Sequence, residues 1–263
     1  MGNFGEGDRF RAEMFQDSNR LRFESPVSEA SQKWWLEAFY EPFGLTPEGM
    51  ADLITKSAPG EKSSAYHYID ASREAFSLRV DGDFPGTREF WYAYRELDLK
   101  GGAFNAEGLE ISPGMHGEGY GRAIMGDLID ARRLMGIEKI RLRAEDIGIY
   151  VWLKMGFLPT SEAWREMRRE AFDFILLNRP LLEKDRDVTA LLTQVMAGGP
   201  NMARVLNLID TEVPSKKIPS RFTRKMMPFG KVFFLEAASP WNGVLDLRDA
   251  ETVKAMESYR ARE

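Results

Sequence analysis

Apolar positions along the first half of the chain change their spacing twice. Residues 1–27 are polar with little period and read as an N-terminal arm. The segment SEASQKWWLEAFYEPFG then places Trp34, Trp35, Ala38 and Phe39 mainly on one helical face, with Gly44 as its stop. A second short helix should follow, with Thr46 as N-cap and Pro47 at the first helical position. Between residues 64 and 112 the period falls to two. SAYHYIDA, EAFSLRVDG, TREFWYAYRELDL and FNAEGLEIS are alternating or aromatic-rich segments separated by Gly, Asp or Pro, which predicts a mostly antiparallel meander. Residues 121–136 return to helical spacing through Ile124, Leu128, Ala131 and Met135 and end at Gly136.

IEKIRLRA predicts one more strand, after which Asp146 can cap a helix that closes at Gly156. Further on, SEAWREMRREAFDFILLNRP and DVTALLTQVMAGG fit helices, while KVFFLEAA and GVLDL read as strands. DAETVKAMESYRARE reads as a final helix capped by Asp249. The alternation of strands and helices predicts an α/β fold.

Composition narrows the chemistry. Hydrophobic residues make up 43% of the 263 positions and charged ones 29%, and no apolar run approaches the eighteen or so needed to cross a bilayer. No membrane association is expected. There is no cysteine, which removes disulfides, thiolate metal sites and Cys nucleophiles. The N-terminus lacks an apolar signal core, so a cytoplasmic location is expected. His67 and His116 are the two histidines, far apart in sequence, so no metal site is expected. His67, in AYHYID, is expected to pack beside its aromatic neighbours. A net charge of −5 gives no global pull toward nucleic acid. The local exception is the basic stretch with Lys216, Lys217, Arg221, Arg224, Lys225 and Lys231 around Phe222 and Phe229, read here as a solvated loop. Trp34, Trp35, Phe90, Trp91, Tyr92 and Tyr94 are expected mainly in the core.

The chemistry concentrates in residues 112–125, SPGMHGEGYGRAIM. Gly117, Gly119 and Gly121 let backbone N–H groups approach a ligand, and the helix that begins at once adds its positive dipole end. That combination suits phosphate oxygens. The glycine spacing is not the dinucleotide-binding one, since Arg122 breaks it, and the Lys-Ser/Thr of a P-loop is missing.

The loop and the order of elements around it resemble the GNAT N-acetyltransferase family. Its loop pattern Arg/Gln-x-x-Gly-x-Gly/Ala corresponds here to His116, Gly117, Glu118, Gly119, Tyr120 and Gly121; Ile111, Ser112 and Pro113 match the preceding strand end, and RLRAEDIGIYVWLKMGFLP the following strand, helix and Gly-Phe ending. The resemblance is good over residues 103–159 and suggestive from about residue 28. It implies a twisted mixed, mostly antiparallel sheet with helices on both faces. In that reading residues 28–160 are the acyl-CoA-binding core, 161–228 a mostly helical insertion or lid, and 229–263 the strands and helix that complete the core. An alternative makes everything after 160 a separate helical subdomain.

The resemblance also implies function: an acetyl-CoA-dependent N-acyltransferase acting directly on an amine borne by a small molecule or a protein. Backbone N–H groups from Gly117 to Arg122 would hold the CoA pyrophosphate, Leu109 to Ile111 would pair with the pantetheine arm, and an N–H near Ile111 would face the acyl oxygen. The helix after Asp146 would form the other wall, and the basic stretch could meet the 3′-phosphate. Glu110 or Glu107 would be the general base, and strand alternation puts the two out of phase. Trp152 occupies the place of the family's usual acid tyrosine, and Tyr150 stands about 200° around the helix from it. His116 replaces the usual Arg or Gln, and Glu145 stands where Asn is common. A rival reading follows from Trp152: a GNAT-like binding or structural module without turnover, in a homo-oligomer or larger assembly.

Overall fold

The computed structural model describes residues 13–146, 148–182, 193, 198–201, 205–206, 209–214 and 226–261. Most of DVTALLTQVMAGG, and the basic residues Lys216, Lys217, Arg221, Arg224 and Lys225 with Phe222, lie outside them. The chain forms two compact units, Met1–Ile140 and Arg141–Glu263. The fold is mixed α/β, mostly antiparallel.

The first unit is built on a meander in sequential order: β1 (Leu21–Phe23), β2 (Lys62–Asp70), β3 (Ala75–Asp83), β4 (Phe90–Asp98) and β5 (Ala103–Ile111). β2 to β5 are the four alternating segments of the sequence and pair antiparallel. β1 is an addition from the stretch read as arm. It pairs parallel with β2, Arg22 opposite Ala65, and buries Leu21. Three residues are too few to carry a visible period. Before β2, α1 (Glu29–Trp35) starts at Ser28, whose side chain accepts from the Ser31 N–H, and continues through a π-helical turn to Gly44 at φ +67°. α2 (Pro47–Ile54) is capped by Thr46, as its sequence predicts.

Alternation gives this meander two unlike faces. Phe76, Leu78, Val80, Trp91, Ala93 and Leu97 occupy one face and are completely buried. Trp35 joins them, edge-on to Tyr66 at 5.6 Å, and ties its indole N–H to the Leu45 carbonyl at 2.9 Å. Ser77, Arg79, Asp81, Tyr92, Tyr94 and Glu96 occupy the other face, which is polar and partly exposed apart from the buried Ser77. Phe90 is 45% exposed, so the expectation of a core role fails there; it begins β4, where the alternation turns it away from Trp91. α3 (Tyr120–Leu134) follows β5 and buries Ile124, Leu128 and Ala131. Asp127 of α3 accepts from both the backbone N–H and the hydroxyl of Ser57, at 2.6 and 2.8 Å, which fixes α3 to the chain leaving α2.

Strand β6 (Lys139–Ala144) crosses the boundary between the units. The second unit continues with α4 (Gly148–Lys154), β7 (Leu158–Pro159) and the 22-residue α5 (Ser161–Leu182). β8 (Glu212–Pro214) pairs with β9 (Met226–Pro228), and α6 (Phe229–Glu236), β10 (Trp241–Asp246) and α7 (Ala250–Arg260) complete it. β10 pairs antiparallel with β7, and its Trp241 donates to the Ile149 carbonyl of α4 at 3.0 Å. Asp249 caps α7 by accepting from the Thr252 N–H. KVFFLEAA, expected as a strand, is helical: α6 buries Phe229, Val232 and Phe233, three and four residues apart. A continuous apolar run of that length has no period that separates strand from helix.

Candidate functional site

At the end of β5 the ladder is closed by Ser112. Its backbone N–H and hydroxyl both donate to the Phe90 carbonyl, at 3.0 and 2.9 Å, and its oxygen accepts from the Phe90 N–H at 2.8 Å. Pro113–Met115 then forms one 3-10 turn, and the His116 ring Nε2 lies 2.7 Å from the Ile111 carbonyl. His116 thus braces the turn on the strand it follows.

Gly117 and Gly119 have φ of +90° and +85°, backbone that any other L-residue adopts only under strain. Gly119 is the N-cap of α3 and no side chain caps the helix. The backbone N–H groups of Gly117, Glu118, Gly119, Tyr120 and Gly121 donate to no acceptor among the described residues. No acidic side chain stands in the first turn to compensate them. His116, Gly117 and Glu118 are exposed. Gly121 faces β5: a Cβ there would stand 3.5 Å from Ile111 and 3.9 Å from Leu109, ordinary contact distances. Tyr120 packs edge-on against Phe84 at 4.8 Å. The result is a row of acceptor-free N–H groups at the positive end of a 15-residue helix, a suitable cradle for an oxyanion.

Leu109, Glu110 and Ile111 lie directly before this loop, and the register settles which way they point. Ile111 is opposite Trp91 and Leu109 opposite Ala93, on the helix-packed face, while Glu110 is opposite Tyr92 on the polar face. The exposed Glu110 therefore keeps company with Tyr92, Arg79 and Asp81. Arg79 stacks over the Tyr92 ring at 4.4 Å and grips Asp81 through Nε and Nη2. Burial raises the Tyr92 pKa, and hydrogen bonding and charge from Glu110 add to it. Tyr92, expected in the core, lies instead on the polar face. Its signal was the alternation in FWYAYREL, which puts residues 92 and 94 opposite in phase to 91 and 93.

Glu107 is also exposed, but the simple phase argument between it and Glu110 does not hold, because the ladder is broken between them. Tyr94 pairs with Gly108 and Glu96 with Asn105, so Ala106 and Glu107 together oppose Arg95: β5 carries a bulge. His67 marks a second irregularity, between Tyr66 and Tyr68 of β2; it stands edge-on to Tyr94 at 5.2 Å and bonds Glu24 at 2.5 Å, the packing role expected of it.

Tyr150 belongs to the second unit, on α4, where the Lys154 ammonium lies 5.5 Å from its ring centre and pairs with Asp210 at 3.1 Å. Trp152 packs against Phe157 at 6.1 Å. Among the described residues there is no cluster of three or more His, Cys, Asp or Glu that could hold a metal ion, and no helix is long and apolar enough to cross a membrane.

No family model matches the chain, and no curated protein matches it. Among solved structures it is similar to a nourseothricin acetyltransferase, with 22% identity and a TM-score of 0.28, over 34% of this chain and 56% of that one.

Proposed function

We propose that the chain is an N-acyltransferase of the GNAT type, with acetyl-CoA as donor and an amine as acceptor. The observation that carries this reading is the run of acceptor-free N–H groups from Gly117 to Gly121 at the start of α3. The residues fit a pyrophosphate: glycine leaves the backbone accessible at 117 and 119, and the helix start is uncapped. The backbone of Gly117 to Arg122 binds the pyrophosphate, and that of Leu109 to Ile111 lines the pantetheine arm. Coenzyme A supplies the acyl group as an activated thioester. Glu110 takes a proton from the acceptor amine, and the neighbouring Tyr92 hydroxyl orients its carboxylate.

A thiol-release assay with acetyl-CoA and a panel of primary amines tests the reading. Turnover is expected with at least one amine, and Glu110→Gln is expected to lower kcat by about 10²-fold with little change in the KM for acetyl-CoA. An unchanged kcat in that variant removes Glu110 from the chemistry. Absence of turnover with every amine, alongside normal acetyl-CoA binding, favours a binding module, the reading that Trp152 suggests.

A further inference from the structure

Strand β4 presents Trp91, Ala93, Arg95 and Leu97 to the helix-packed face, and all four have no exposed surface. Arg95 stands opposite Leu78 on one side and the β5 bulge on the other. Its Nη1 donates to the carbonyls of Tyr94 and Gly108, at 2.9 and 2.5 Å. Its Nε and Nη2 have no hydrogen-bond partner among the described residues. No described acidic side chain forms an ion pair with it. Burial lowers its pKa to about 10, so it remains a cation at neutral pH.

The two unpartnered nitrogens are a matched pair. Nε–H and one N–H of Nη2 run parallel along one edge of the guanidinium, the fork that takes both oxygens of a carboxylate. This chain shows that edge in use twice. Arg248 places Nε and Nη2 at 3.0 and 2.7 Å from the two oxygens of Asp246, and Arg79 closes the same edge on one oxygen of Asp81, at 2.9 and 2.6 Å. In Arg95 the same edge is buried, and no carboxylate among the described residues closes on it. An unpaired buried cation is costly, and replacing it by an apolar residue of similar volume is commonly neutral or stabilising. Stability of the apolar core therefore does not account for Arg95.

We propose that the Nε/Nη2 edge of Arg95 is a receptor for the carboxylate of a small-molecule ligand of the first unit. The bulge supplies the setting, since Ala106 and Glu107 interrupt the β4–β5 ladder opposite Arg95, and bulges recur beside active sites, where they re-aim a side chain. A donor laid along β5 from the glycine loop runs from Ile111 through Leu109 toward this bulge. The carboxylate then belongs either to the acyl group of the donor, as in a dicarboxylic acyl thioester, or to the acceptor. The receptor itself does not depend on coenzyme A binding.

The test uses the full chain, with thermal unfolding and calorimetry. The probes are sodium succinate and sodium acetate, against sodium chloride at equal ionic strength, and succinyl-CoA against acetyl-CoA. Wild type should show a saturable rise in Tm with carboxylate beyond that with chloride, and Arg95→Met should lose it while unfolding at or above the wild-type temperature. Succinyl-CoA binding at least tenfold tighter than acetyl-CoA, with the gap erased in Arg95→Met, assigns the carboxylate to the donor. Equal affinity for the two esters, with the succinate response kept in saturating acetyl-CoA, assigns it to the acceptor. If Arg95→Met does not fold, Arg95→Lys, which keeps the charge without the fork, should fold and lose tenfold or more in carboxylate affinity. No carboxylate response in wild type, or a response unchanged in whichever variant folds, overturns the proposal. Failure of both esters to bind while the succinate response persists refutes the donor-binding reading of the glycine loop and leaves the Arg95 receptor standing.

Discussion

At the scale of single residues, some enclosed polar groups hold the fold through their hydrogen bonds, and Arg95 is among those that keep unpartnered atoms among the described residues. Asp127, 8% exposed, accepts two hydrogen bonds from Ser57. Asp127→Ala leaves the Ser57 N–H and hydroxyl without their acceptor, and about 1–3 kcal/mol of stability should be lost, measured as a fall in the denaturation midpoint with unchanged slope. Trp35 is completely buried and its indole N–H is tied to Leu45. Trp35→Ala should cost about 3–5 kcal/mol, read in the same denaturant titration. Arg95 differs, because two of its donor nitrogens satisfy nothing among the described residues. Its position was legible as inward-facing from the alternation of β4, yet a charged residue in an otherwise apolar row reads from sequence as an interruption. The bulge that frames it arises from pairing with a second strand and leaves no mark in either strand alone.

At the scale of elements, β2 supplies a pH-dependent stability. The Tyr66 hydroxyl, buried and donating to the Pro47 carbonyl at 3.0 Å, has its pKa pushed well above the ordinary value by burial. Tyr68 is raised to about 12, first by burial and then by Glu96. The folded state thus resists losing these protons, whereas the unfolded chain loses them near pH 10. Their contribution is fully present below pH 10 and is lost as pH rises toward 12. Unfolding free energy should fall over that window, and Tyr68→Phe should flatten part of the fall; equal pH slopes in the two proteins would count against Tyr68. At the helix end, Asp249→Ala removes the cap of α7 and should lower stability by about 1 kcal/mol, seen as a small drop in Tm.

Much of this architecture was legible in local pattern: the four long meander strands, the capped starts of α2 and α7, and the stop of the first helical segment at Gly44 follow from period and cap chemistry. β1 was hidden because it is short, and α6 because its apolar positions are contiguous. The glycine loop was legible because φ above zero and a helix start leave residue-type signatures. The pairing of Glu110 with Tyr92 was not, since register across strands is a tertiary fact.

At the scale of the whole molecule, the donor-binding account rests on the first unit alone, through β5, the loop from Ser112 to Gly119 and α3. A chain of net charge −5 does not steer a polyanionic donor toward itself, so affinity must come from the local row of N–H groups rather than from the global field. The most direct measurement is isothermal titration of the full chain with acetyl-CoA, beside Gly121→Asp. The helical Gly121 has room for a Cβ, and an aspartate there suits the helix start while repelling a pyrophosphate. Micromolar binding to wild type, lost in a Gly121→Asp protein of unchanged Tm, is the result predicted. No binding to wild type, or equal binding to both proteins, would contradict the account.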